Sequence, residues 1–161
     1  MAMRQLVLDF LHNHAIPYTI YTHQPVVSVE DSKRIIHIEG CSGYKSLFVK
    51  DKKSDNYYMV VLPADKRADM RALAHYVGCE KFEFGTADKM LTMLGVVRGN
   101  VSPFCFICPQ SQSVKLLLDY SIRTTSYVRF HPCDNTATLV LEREQFIKCM
   151  SLLNKTIIYV E

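Results

Sequence analysis

A lysine inside an apolar strand, a glycine–proline loop and two histidines beside prolines are the residues whose types and spacing could do chemistry. Lys45 lies within Tyr44-Lys-Ser-Leu-Phe-Val49. An alternating strand can turn such a lysine to solvent without cost. Facing the mouth of a pocket, it becomes a ligand for phosphate or carbonyl oxygen. Gly99-Asn-Val-Ser-Pro103 joins a backbone that tolerates unusual dihedrals to a stiffened exit. Such a loop can point several N–H groups at one oxygen, as an oxyanion hole or phosphate nest does. The plain alternative is an ordinary turn. His23 and His131 each precede a proline-containing turn near a strand end, where functional residues gather. His12, His14 and His75 sit on predicted helices and read as surface or cap positions.

The cysteines invite a metal reading. Cys105-Phe-Ile-Cys108 has metal or redox spacing, and His37-Ile-Glu39 lies upstream, as in zinc deaminases. The match fails because Phe104 separates Pro103 from Cys105. The apolar run 103–108 also reads as a strand, in which an i, i+3 pair faces opposite sides. Cys133 could complete a Cys-Cys-His-Cys set on paper. Buried, reduced thiols are the expected state of these cysteines, with no metal. No Ser-His-Asp arrangement, Walker loop, dinucleotide fingerprint or paired-histidine helix motif occurs.

The elements that must position these residues follow from periodicity. Met3, Leu6, Val7 and Phe10 predict a helix over 3–14 that Pro17 ends, with a short strand at 18–21. Ser28 opens a second helix carrying Ile35, Ile36 and Ile38. Strands at 44–49 and 57–62 form a hairpin around the polar tip 51–56. Asp69 to Val77 is a helix with Gly78 at its end, followed by a strand at 81–84. Thr86 caps a helix that Gly95 terminates. Strands follow at 114–118, 127–130 and 136–141, then a helix over 142–153 and an edge strand at 157–160. Interspersed helices and strands without a linker or repeat predict one mixed α/β domain over 1–161, a mixed-direction sheet with packed helices.

With 161 residues the chain has room for one domain with a sizeable core. Its apolar content of 48% and charged content of 22% exclude a disordered tail or coiled coil. A net charge of +3 is too small for coating nucleic acid but allows a local basic face. No apolar run approaches the ~20 residues that span a bilayer, and Asp9 interrupts any signal-peptide centre. The expectation is a cytoplasmic protein with no membrane partner.

Four segments, taken in order, resemble the YbaK/ProX family of aminoacyl-tRNA deacylases. They are Thr22-His-Gln-Pro-Val-Val-Ser-Val-Glu-Asp31, Gly43-Tyr-Lys-Ser-Leu-Phe-Val-Lys-Asp51, Leu94-Gly-Val-Val-Arg-Gly-Asn-Val-Ser-Pro-Phe104 and Phe130-His-Pro-Cys-Asp-Asn-Thr-Ala-Thr138. The match spans residues 4 to 154. The last two segments look most like the free-standing prolyl-tRNA-editing branch, which removes alanine from proline tRNA; the cysteinyl-removing branch is next. The resemblance implies a curved central sheet, no cofactor, and the acceptor end of aminoacylated tRNA as partner, with prolyl-tRNA synthetase as a second.

It also implies roles. Lys45 would hold the 3′-terminal nucleotide and orient the ester, and the Gly99 N–H would receive the substrate carbonyl. His131 and Asn135 would border the pocket, Ser102 and Pro103 would shape the loop, and Val26, Val27 and Leu47 would form walls. Ser46 stands where the family often has Asn, which puts that substrate contact in doubt, and Cys133 replaces a larger aliphatic residue. With no nucleophile motif, water is the expected nucleophile, positioned by the substrate's own amine or ribose hydroxyl. Lys50, Lys52, Lys53, Lys66 and Arg98 are candidate phosphate contacts, or simply solubility charge. The competing class is a module of the same fold that binds tRNA or a synthetase without turnover, which need not keep Lys45 and Gly99.

Overall fold

In the computed structural model, residues 2–26, 30 and 40–161 are described. The helix expected from Ser28 and the residue Val27 lie outside them. Eight strands form one mixed sheet: β1 (Thr19–Thr22), β2 (Cys41–Asp51), β3 (Tyr57–Pro63), β4 (Phe82–Phe84), β5 (Lys115–Asp119), β6 (Tyr127–Phe130), β7 (Ala137–Glu142) and β8 (Ile157–Val160). The α-helices with both ends among the described residues are α1 (Met3–Asn13), α2 (Met70–His75), α3 (Ala87–Leu94) and α4 (Arg143–Leu152). The order across the sheet is β1-β7-β6-β2-β3-β5-β8, with β4 also on β2.

β3 lies between β2 and β5, and every residue from Tyr57 to Leu62 is buried. That is what a strand covered on both faces requires. Tyr57, Met59 and Val61 join a core with α1, α3, α4 and Phe104. Tyr58, Val60 and Leu62 join a second core with Leu73 and Ala74 of α2. Each fully buried Leu, Phe or Met contributes about 1.5–3 kcal/mol. Stacked Phe130 and Phe146, with Phe104 edge-on to both, tie β6 and α4 together.

Local chemistry sets the ends. Asp69 accepts from the N–H groups of Arg71 and Ala72 to start α2, and Thr86 accepts from Lys89 to start α3. Gly95 ends α3 at φ 73°, a left-handed cap. The run 103–108, expected as a strand, is a 3-10 helix over Pro103–Ile107. Ser102 caps it by accepting from the Phe104 N–H, and Pro103 presets its first turn. In this coil Pro103, Phe104, Cys105 and Phe106 are all buried.

Candidate active site at a fork in the sheet

The site is built by β2, which carries two partners on one edge. Cys41, Ser42 and Gly43 pair in parallel with Tyr127, Val128 and Arg129 of β6. Val49, Lys50 and Asp51 pair with β4. Between them, residues 44–47 face a gap where no strand pairs on that edge, among the described residues; the Phe48 carbonyl already accepts from the Gly85 N–H. Lys45 lies in this gap. His131 is the first residue past the end of β6. Beyond the Gly43–Arg129 pair the strands part, and Lys45 and His131 each stand two residues past it.

Strand alternation assigns faces. Tyr44, Ser46 and Phe48 share the face of the larger core, where Tyr44 stacks on Phe130. Gly43, Lys45 and Leu47 share the opposite face, where Leu47 packs against the α2 core. Arg129 and Thr138 lie on that same face, because Arg129 registers with Gly43 and Val140. Lys45 and Ser46 therefore point to opposite faces, and the sheet does not bring their side chains together.

The predicted loop residues meet at the sheet's end. Val26 and Asn135 are joined twice: the Val26 N–H donates to the Asn135 carbonyl, and Asn135 Nδ2 donates to the Val26 carbonyl at 3.3 Å. The Asn135 N–H donates to Asn100 Oδ1 at 3.1 Å. A Cβ on Gly99 would stand 3.8 Å from Asn135 Nδ2. Gly99 adopts φ 93°, which a side chain resists. Its N–H has no protein partner among the described residues, while that of Asn100 donates to Val97. The structure thus knits Val26, Gly99 and Asn135 into one cluster. The 131–136 turn carries it toward the fork. Ser102 and Pro103 are buried and engaged in holding the loop.

His131 has a buried Nδ1 without a hydrogen-bond partner among the described residues. Burial pulls its pKa down to about 4, against the opposing pull of Asp134. The ring is therefore neutral at neutral pH. Burial pushes Asp134 upward, but bonds from Thr136 and the charge of Arg4 outweigh it and hold its carboxyl below the usual range. His23 lies close by. Its Nδ1 donates to the Gln24 carbonyl at 2.7 Å, which leaves Nε2 to accept from Thr138 Oγ1 at 2.8 Å.

Several expectations are placed elsewhere. Cys105 Sγ lies 3.0 Å from Cys133 Sγ, whereas Cys108 Sγ donates to Gln110. Cys133 has φ 60°, and its thiol is buried. Of the lysines offered to phosphates, Lys50 pairs with Glu83, Lys53 with Glu80 and Lys66 with Asp119. Lys52 and Arg98 are exposed. An open hollow of about 550 Å³, lined by Ser42, Tyr44, Ser121 and Thr125 among others, holds none of the predicted site residues. The sequence reading passed over Asn100, Thr138 and Arg129. Asn100, inside the flagged loop, was the legible one.

The aminoacyl-tRNA editing domain model matches residues 23–149. The chain is 32% identical over 162 residues to the prolyl-tRNA editing protein ProX of Acetoanaerobium sticklandii, covering 100% of this chain and 98% of that protein. It is 32% identical over 138 residues to prolyl-tRNA synthetase associated domain-containing protein 1 of Mus musculus, covering 83% and 80%. A crystal structure of a candidate trans-editing enzyme for prolyl tRNA synthetase superposes with a TM-score of 0.71 at 14% identity, covering 98% of this chain and 95% of that one. The hypothetical protein APE2540 superposes with a TM-score of 0.73 at 18% identity, covering 94% and 95%. These matches run through the segments that build the fork, and by them the chain belongs to the aminoacyl-tRNA editing family and is an aminoacyl-tRNA deacylase.

Proposed function

We propose that the protein acts in trans on tRNA charged with the wrong amino acid, alanine on proline tRNA above all. The observation that carries this reading is the fork: a half-buried lysine in a stretch of β2 that, among the described residues, pairs only with β3, beside a turn that binds the Gly99 loop. The name of the ProX relative supports a proline-tRNA substrate, and that of the mouse relative supports association with prolyl-tRNA synthetase. The whole chain, 1–161, would work as one editing domain in the cytoplasm, where charged tRNA is found. No helix among the described residues is long and apolar enough to cross a membrane.

The reaction is hydrolysis of an ester between an amino acid and a ribose hydroxyl. Negative charge develops on the carbonyl oxygen. The Gly99 N–H, fixed beforehand by the loop, donates to it; losing one such donor costs about 2.7–4 kcal/mol. Lys45 holds the terminal nucleotide and orients the ester. Neutral His131 offers its unpartnered Nδ1 to the aminoacyl group. The substrate's own amine or ribose hydroxyl places the attacking water. Val26, Leu47 and Asn135 border the side-chain pocket, which admits a methyl group and excludes a pyrrolidine ring. Ser46 faces the other side of β2, so its contact would come only through its backbone.

A panel of charged tRNAs, with Lys45→Ala beside the wild type, tests the reading. Alanine release from proline tRNA, absent in the variant, is the expected result. Equal release from prolyl-tRNA refutes the size sieve, and a fully active Lys45→Ala refutes the role of the lysine.

A further inference from the structure

We propose that Arg129 is a further substrate-binding residue, which grips the 5′ phosphate of the terminal nucleotide whose ester Lys45 orients. The inference rests on the deacylase reading and extends it. Arg129 and Gly43 are register partners on the β6–β2 pair just before the fork, on the face that Lys45 shares. The guanidinium lies across the bare Cα of Gly43: a Cβ there would stand 2.6 Å from Arg129 Nη2 and 2.8 Å from Cζ. Glycine at position 43 thus makes the cradle in which the guanidinium rests. Its neighbour on that face is the thiol of Cys41. Arg129 forms no salt bridge with a carboxylate among the described residues, whereas Lys50, Lys53 and Lys66 are each committed to one.

Scale supports the pairing with Lys45. One same-face step along a strand is about 6.6–6.8 Å. That is close to the reach of a single extended nucleotide from its 5′ phosphorus to the acyl carbon on its 3′ oxygen, six bonds away. A planar guanidinium donates two parallel hydrogen bonds to a phosphate, which a point-charge lysine cannot. With Lys45 at the ester, Arg129 one step back along the sheet meets the phosphodiester that precedes it. The two cations then read one nucleotide at both ends.

The test compares two minimal esters of adenosine, one with a 5′ phosphate and one without, each carrying the amino acid the wild type releases fastest from tRNA. The expected result is that the wild type cleaves the phosphorylated ester with about tenfold higher kcat/KM, mostly through KM. Arg129→Ala abolishes this preference, bringing kcat/KM for the phosphorylated ester down to that for the unphosphorylated one. Gly43→Ala, which displaces the flexible guanidinium without removing it, weakens the preference as well. On intact tRNA, Arg129→Ala raises KM and lowers the salt slope by about one. A wild type without preference, or an Arg129→Ala enzyme that keeps it, overturns the proposal. Failure of the wild type to cleave any ester or charged tRNA would instead count against the deacylase reading itself.

Discussion

Gly99→Ala separates a catalytic loop from a mere turn. Gly99 sits at φ 93°, and the nearest side-chain atom to a new Cβ would be Asn135 Nδ2 at 3.8 Å, an ordinary contact. Alanine therefore meets no steric wall, and its cost is backbone strain of about 1–3 kcal/mol. At roughly 2–4 °C per kcal/mol for a chain of this size, the melting temperature falls accordingly. If the Gly99 N–H receives the carbonyl oxygen, the strained loop misaims it, and kcat falls about 10²–10³-fold. Gly95→Ala is the matched control. Gly95 has φ 73°, and a Cβ there would meet Met3 Sδ at 3.6 Å and Cys108 Sγ at 3.7 Å, away from the fork. It should lose similar stability and keep its kcat. Thermal melts of both variants, beside amino-acid release at saturating charged tRNA, make the comparison. Equal kcat in both variants, with equal melting shifts, refutes the oxyanion role of the loop.

Three further outcomes follow from the charged groups. Because burial holds the His131 pKa at about 4, below its unfolded value near 6.5, its neutral form favours the folded state; that contribution, on the order of 3 kcal/mol, is full above pH 6.5 and is lost as pH falls through 4. His131→Asn should flatten the melting curve's pH dependence in that window, and an unchanged pH profile would contradict the buried ring. Lys66→Met strips the partner at 2.5 Å from buried Asp119 and should cost about 1–3 kcal/mol by denaturant titration, while leaving the salt dependence of tRNA cleavage unchanged. Lys155 Nζ donates to the carbonyls of Ser111, Gln112 and Val114 and lies 4.4 Å from the Phe106 ring centroid, so Lys155→Met should lower stability by about 2 kcal/mol with kcat intact; a variant as stable as wild type would show that water replaces those bonds.

Most elements were legible because their signals are local. The helix start near Asp69, the cap at Thr86, the stop at Gly95 and the hairpin around 51–56 each depend on residues within one turn. The run 103–108 misled because a fully apolar stretch has no period, and its Ser-Pro start was the signal for a coil that alternation hid. The parallel pairings of β2 with β6 and β3 with β5 join segments far apart in sequence, and nothing local announces them. The Gly99 loop and the His131–Asn135 turn stood out by composition, but their mutual bonds through Asn100 and Val26 did not. Arg129 escaped notice since a charged residue alternating in a strand looks solvent-facing; only its register opposite Gly43 marks it.

The gap in β2 has a consequence for the chain's behaviour in a crowded solution. Unpaired strand edges ordinarily template association between copies, and proteins blunt them with charges, prolines or bulges. Among the described residues, 44–47 present such an edge inside the sheet, stopped by β6 at one end and by β4 at the other. An invading strand could register with no more than those few residues before colliding with both flanks. The molecule can thus keep bare backbone groups open to a small guest while denying them to another polypeptide.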